Sequence, residues 1–79
     1  MRDKNAERQA ALLKELRADC PKVEITAWYD ATGGPGTGKW QFRGIVKDEA
    51  VIRIEKAGFL PARDAFRDAY HKAVNGGLL

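Results

Sequence analysis

The spacing of hydrophobic positions changes twice along the chain, and each change marks a new type of element. From Asp3 to Asp19, apolar residues recur at intervals of three and four among charged side chains, which is typical of a helix with one buried stripe. Pro21 ends this helix, because the residue before a proline is pushed out of helical geometry. The predicted stripe consists of Ala6, Ala10, Leu12, Leu13 and Leu16.

From Lys22 to Asp30 the period becomes two, as in a strand with one buried face. The same period returns from Lys39 to Lys47 and from Ala50 to Glu55, with a tight polar turn between these segments. Short connections predict an antiparallel meander of three strands. The residues predicted to face the core are Val23, Ile25, Ala27, Tyr29, Trp40, Phe42, Gly44, Val46, Ala50, Ile52 and Ile54.

A second helix is predicted from Pro61, because proline suits the first helical position. Its apolar stripe runs to the stop signal Asn75-Gly76-Gly77 and consists of Ala62, Ala65, Phe66, Ala69, Tyr70, Ala73 and Val74. The order of elements is therefore α-β-β-β-α. We expect an α+β fold in which residues 1–79 form a single domain, with two helices packed on one face of a three-stranded antiparallel sheet.

Composition narrows the class of protein. Of the 79 residues, 44% are hydrophobic and 32% are charged, which is typical of a folded domain and not of a disordered chain. No apolar run approaches the roughly 20 residues that cross a bilayer. Because the start of the chain is mixed in charge and has no apolar core, we expect no secretory signal. Cys20 is the only cysteine, which fits a reducing compartment. We therefore expect a cytoplasmic protein with no membrane contact.

The most prominent motif is the string from Gly33 to Trp40, Gly-Gly-Pro-Gly-Thr-Gly-Lys-Trp. Its glycines and its Thr-Gly-Lys resemble the Walker A loop of the AAA+ ATPases. The string departs from that motif at Trp40, where a Ser or Thr would hold Mg²⁺, and a strand pattern follows where the motif opens a helix. We expect a hairpin connection. The alternative is a set of backbone amides that contacts a phosphate or a partner without catalysis.

The other reactive residue types do not form a catalytic or metal-binding pattern. His71 is the only histidine and lies on the polar side of the last helix, with no cysteine at a metal-ligand spacing. Cys20 is expected to pack at the end of the first helix, and Asp48-Glu49 is expected to be a solvated turn. We therefore expect a protein that is not an enzyme and holds no cofactor or metal.

The face of the sheet opposite the helices is the candidate functional surface. It presents tryptophan and arginine, two of the residue types that dominate interface hot spots, together with branched aliphatic side chains. The loop from Gly33 to Lys39 would form a flexible rim beside it. The candidate partner-binding residues are Trp28, Lys39, Arg43, Ile45, Lys47, Val51 and Arg53.

The order α-β-β-β-α, over nearly the whole chain, resembles the double-stranded RNA-binding domain. That family uses its first helix, the loop after its first strand and the start of its last helix to contact RNA. Here the loop holds Gly34-Pro35, and the resemblance implies that Arg63 and Arg67, opposed by Asp64, replace the family's lysine cluster. With the basic residues of the strands, these arginines define the alternative function, a small nucleic-acid-binding domain.

A second resemblance rests on overall character. A chain of 79 residues with one cysteine, an α/β pattern and no catalytic motif is similar to the small anti-CRISPR proteins encoded by phages and mobile elements. The resemblance implies a stoichiometric inhibitor that occupies a surface on a CRISPR effector complex and blocks its nucleic-acid recognition. We rank this function first and expect a monomer whose partner is a protein or a ribonucleoprotein complex.

Overall fold

The computed structural model describes residues 4–31 and 38–79. Its elements are α1 (Lys4–Asp19), β1 (Glu24–Asp30), β2 (Lys39–Val46), β3 (Glu49–Lys56) and α2 (Phe59–Asn75), each within two residues of the predicted bounds. The strands form one antiparallel sheet in the order β1-β2-β3, which confirms the predicted α+β architecture. Within the two described ranges, no helix combines the length and apolar composition that crossing a membrane requires.

The core lies between the helices and one face of the sheet, the inner face, which carries Ile25, Phe42 and Ile52. Leu16 of α1, Phe42 of β2 and Phe66 of α2 have no exposed surface at all. Both helices therefore cover this face, and the opposite face is called the outer face below. The other buried members of the core are Cys20, Val23, Phe59, Ala62 and Tyr70.

Helix α2 contacts the sheet closely at Gly44, in the middle of β2. A β-carbon at this position would lie 3.0 Å from Cζ of Phe66 and 3.2 Å from Cβ of Ile52. The ring of Phe66 also packs on that of Phe42, with centroids 6.2 Å apart. Phe66 thus rests on the backbone of β2, a position that only a glycine leaves open.

Aromatic rings extend the inner face towards the start of β2. The ring of Trp40 lies 4.9 Å from that of Phe59 and 5.7 Å from that of Tyr29, in both cases edge to face. Such pairs stabilise a core by about 0.5–1.5 kcal/mol beyond the area they bury. Tyr29 lies at the margin of this cluster, where it is 44% exposed, although the alternation of β1 predicted a core position.

Helix α2 begins at Phe59, so the prediction that Pro61 occupies its first position is wrong. The Ala62 N–H donates the first helical hydrogen bond to the Gly58 carbonyl oxygen, at 3.1 Å. Pro61 is the third helical residue, and its missing N–H costs nothing there because the first-turn N–H groups have no intrahelical acceptor. Phe59 is drawn into the helix because its ring fills the aromatic cluster around Trp40.

Helix α2 ends at Asn75, as the stop signal Asn75-Gly76-Gly77 predicted. The Gly77 N–H donates to the Val74 carbonyl oxygen at 3.1 Å, and the Leu78 N–H donates to that of Ala73 at 2.9 Å. This pair of hydrogen bonds defines a Schellman motif, which needs a residue in the left-handed region. Gly77, with φ of +79°, supplies it.

Helix α1 covers the core with its second half only. Leu12 and Leu13 pack against the core and Leu16 is fully buried. Ala6 and Ala10 are exposed, so the prediction that they belong to the buried stripe is wrong. Their spacing fits the stripe, but the core does not reach the first two turns of the helix.

A bulge and a tight turn set the pairing of β2 with β3. Val46 pairs with Glu49, so the turn between them has two residues, Lys47 and Asp48, with φ of 51° and 66°. Two positive φ angles define a type I′ turn, which matches the twist of the strands. The bulge at Gly44/Ile45 then pairs Ala50 with Ile45. The prediction that Ala50 faces the core is therefore wrong, because the bulge shifts the alternation of β3 at this position.

Candidate partner-binding face

The register of the strands arranges the outer face in rows that cross the sheet. Side chains of directly opposed residues lie on the same face, next to one another. The tryptophan row consists of Trp28, Gln41 and Glu55, and the neighbouring arginine row consists of Thr26, Arg43 and Arg53. The two rows occupy the centre of the outer face.

Trp28 and Arg43 form the central contact between these rows. Trp28 is 44% exposed, and the guanidinium carbon of Arg43 lies 5.1 Å from the centroid of its ring. Arg43 Nη1 also donates to Gln41 Oε1 at 3.2 Å and to the Phe42 carbonyl oxygen at 3.3 Å. The cation–π contact and these hydrogen bonds hold the arginine over the indole.

Gln41 connects two oppositely charged residues of the face, Arg43 and Glu55. It is 7% exposed, although it points away from the helices, because its neighbours cover it. Its Nε2 donates to Glu55 Oε1 at 2.8 Å, and its Oε1 accepts from Arg43. Gln41 was not among the predicted binding residues, since alternation alone does not reveal that a polar residue is covered by longer neighbours.

The two rows surround a shallow depression of about 400 Å³ that is open to solvent. Three of the seven predicted binding residues, Trp28, Arg43 and Arg53, line it. Gln41 and Glu55 line it as well, and Asp30 and Ile54 complete its wall. The structure thus brings Trp28 together with the two arginines that the sequence favoured.

The other predicted residues lie around the depression. Ile45 is half-buried beyond the arginine row. Lys39 begins β2 and Lys47 lies in the turn at its other end, so the length of the strand, roughly 25 Å, separates them. Val51, the additional residue of the bulge, is half-exposed and lines a separate hollow with Leu78 and residues of α2.

The two α2 arginines implied by the RNA-binding resemblance are paired within the chain. Arg63 Nη2 lies 2.9 Å from Asp64 Oδ1. Arg67 Nη2 lies 3.2 Å from Asp19 Oδ2 and thereby ties α2 to the end of α1. Neither guanidinium presents its full positive charge to a phosphate, because a carboxylate of the same chain already contacts it.

Cys20 and His71 lie away from the outer face. Cys20 is fully buried in the core, and burial, reinforced by the negative charge of Asp19 and opposed by Arg67, raises the pKa of its thiol. The thiolate is the nucleophile, so this environment disfavours reaction. His71 is exposed beside the ring of Tyr70. No cluster of His, Cys, Asp and Glu able to hold a metal occurs among residues 4–31 and 38–79.

Residues 33–37, five of the eight residues of the glycine-rich string, lie outside the described residues. The described part shows Gly38 packed on the sheet, where a β-carbon would lie 2.5 Å from the Tyr29 hydroxyl oxygen. Asp30 and Lys39 pair directly, so the strands on either side of the string are antiparallel neighbours. Lys39 opens a strand, whereas the lysine of a Walker A loop precedes a helix.

The charges of the outer face balance. Within the strands, its basic residues are Lys39, Arg43 and Arg53, and its acidic residues are Glu24, Asp30 and Glu55. A balanced face lacks the one-sided positive charge typical of nucleic-acid-binding surfaces. Exposed tryptophan and arginine within a polar surround are typical of protein interfaces.

No family model, no curated protein and no solved structure matches this chain.

Proposed function

We propose that this chain is a non-enzymatic binding protein that inhibits its partner stoichiometrically, in the manner of the small anti-CRISPR proteins. As a monomer in the bacterial cytoplasm, it would use the outer face to occupy a surface of a CRISPR effector complex that nucleic acid otherwise contacts. The observation that carries this proposal is Trp28, an indole that is 44% exposed at the centre of a face that neither α1 nor α2 covers, with Arg43 held over it.

The fixed position of these side chains supports a role in binding. Association costs free energy for each side chain that must be ordered, so an anchor that is already held in place loses less. Arg43 is held by the Trp28 ring and by Gln41, and Gln41 is held in turn by Glu55. The depression of about 400 Å³ beside them is open to solvent and has room for a side chain of a partner protein.

The alternative, a nucleic-acid-binding domain, has less support. Arg63 and Arg67 contact carboxylates of the same chain, and the charges of the outer face balance. Fluorescence anisotropy with duplex RNA and duplex DNA at two salt concentrations tests this alternative. For duplex DNA, affinity should fall by about 0.9 log unit per phosphate contact for each tenfold rise in salt. Tight, salt-dependent binding would replace the protein-binding proposal.

The direct test measures target-DNA binding by purified, guide-loaded CRISPR effector complexes as the chain is added. We expect inhibition that is complete near one equivalent. Trp28→Ala should raise the concentration needed at least about 30-fold, because a tryptophan anchor contributes about 2–4 kcal/mol. Leu60→Ala is the matched control, since Leu60 is 42% exposed but belongs to α2.

Circular dichroism and thermal unfolding should show that both variants fold as the parent chain does. If no effector responds, the CRISPR assignment is wrong. If Trp28→Ala inhibits as well as the parent chain, the outer face is not the binding surface.

A further inference from the structure

Two arginines oppose each other directly on the outer face. Arg43 of β2 and Arg53 of β3 are partners in the antiparallel register, so their β-carbons lie roughly 5 Å apart. Like charges at directly opposed positions destabilise a sheet. The arginine row therefore concentrates two positive charges where the fold alone would favour an opposite or neutral pair.

The two guanidinium groups are bound unequally. Arg43 leans towards β1, where it contacts Trp28 and Gln41. Arg53 is exposed and has no hydrogen bond or ion pair with any residue in the described part of the chain. The nearest carboxylate along its own strand, Glu55, accepts a hydrogen bond from Gln41 instead. The positive charge of Arg53 is thus unneutralised at the wall of the depression.

We propose that Arg43 and Arg53 together bind one carboxylate of the partner protein, an Asp or Glu side chain that enters the depression beside Trp28. This inference rests on the proposed function and specifies the chemistry of the partner. Guanidinium groups bind carboxylates through paired, charge-assisted hydrogen bonds. Two of them at neighbouring positions give one carboxylate more donors than either supplies alone, and the anion offsets their mutual repulsion.

The surrounding charges favour a carboxylate of a protein over a chain of phosphates. Glu55 lies beside Arg53 in the next row, and Glu24 lies in the row on the other side of Arg43. A single carboxylate fits between these acidic positions, whereas consecutive phosphates would bring further negative charge onto them. The matching partner surface therefore carries one acidic residue with basic residues around it.

One test uses the conflict between stability and binding. Arg53→Glu replaces the repulsion with an attraction to Arg43, so we expect Tm to rise by about 2–4 °C. The same substitution should abolish inhibition of the effector, since it repels the partner's carboxylate. Lys56→Glu is the matched control, because it makes the same charge change on β3 opposite Trp40, on the inner side. The control should inhibit normally and gain no stability.

A second test does not depend on the identity of the partner. The ¹⁵N-labelled full chain is titrated with acetyl-Ala-Glu-Ala-amide, with the Gln analogue of that peptide and with inorganic phosphate, at constant ionic strength. We expect saturable NMR shifts of the Arg43 and Arg53 Nε–H signals and of the Trp28 indole N–H with the Glu peptide only. Arg53→Gln should weaken this binding about tenfold, which corresponds to the loss of one charge-assisted contact.

The outcomes separate the two proposals. Equal shifts with the Glu and Gln peptides, tighter binding of phosphate, or inhibition that survives Arg53→Glu would overturn the carboxylate site. If Trp28→Ala still weakens inhibition in that case, the binding face stands without the carboxylate site. If the Glu peptide binds but no effector is inhibited, the carboxylate site stands and the proposed inhibitor function fails.

Discussion

The two faces of the sheet are built from the same three strands but are organised by different interactions. On the inner face, side chains are positioned by close packing. Phe42 and Phe66 are fully buried, and Phe66 lies against the backbone at Gly44. On the outer face, position depends on directed polar contacts, such as the 2.8 Å hydrogen bond from Gln41 to Glu55. Close packing therefore determines the stability of this fold, while the outer face remains available for recognition.

The contrast implies that large losses of stability should come from substitutions on the inner face, whereas binding should depend on side chains of the outer face. A change of one methyl group should be felt on the inner face, because protein interiors are packed as densely as crystals. The outer face borders on solvent, so a truncated side chain there leaves no closed cavity. Substitutions on the two faces should then have independent effects, as expected for residues that share no contact.

The largest expected effect is that of Phe66→Ala. Removing a fully buried phenylalanine ring from the contact with Phe42 and Gly44 should lower the free energy of unfolding by roughly 3–5 kcal/mol. Urea unfolding followed by circular dichroism measures it. Trp28→Ala is the comparison on the outer face, where the loss of a cation–π contact should cost about 0.5–1 kcal/mol. Equal losses would show that the indole belongs to the core and that the two faces are not distinct.

A smaller loss is expected from Gly44→Ala. The added β-carbon would meet Phe66 and Ile52 at 3.0–3.2 Å, and overpacking of this kind costs about 1–3 kcal/mol. The double variant Gly44→Ala with Phe66→Leu should recover part of that loss, because the smaller side chain leaves room for the methyl group. Thermal unfolding of the four chains gives the coupling between the two positions. Strictly additive losses would contradict the proposed contact.

The sequence predicted the division into two faces because alternation has a simple period. Ile25, Phe42 and Ile52 were expected in the core and are buried there, and Trp28 was expected on the other face and is exposed. The fold order followed from the same periods together with Pro21, the only residue needed to separate α1 from the strands.

Features that depend on tertiary contacts were not predicted. Phe59 joins α2 because its ring packs on Trp40, a contact between segments far apart in sequence. The bulge that removes Ala50 from the core leaves no mark in the apolar pattern. The opposition of Arg43 and Arg53 depends on the exact length of the turn between their strands, since a shift of register would give each of them a different neighbour.

The smallest expected effect concerns that turn, which maintains the register of both faces. Lys47 and Asp48 have φ of 51° and 66°, a conformation that asparagine and glycine adopt more readily. Lys47→Asn with Asp48→Gly should therefore raise the free energy of unfolding by about 0.5–1 kcal/mol, measured by urea unfolding. The aromatic core and the outer face should be unaffected, because both residues are exposed in the turn. Unchanged stability would contradict the type I′ geometry, and a loss of inhibition in a stabilised variant would place Lys47 within the binding face, as its position in the sequence predicted.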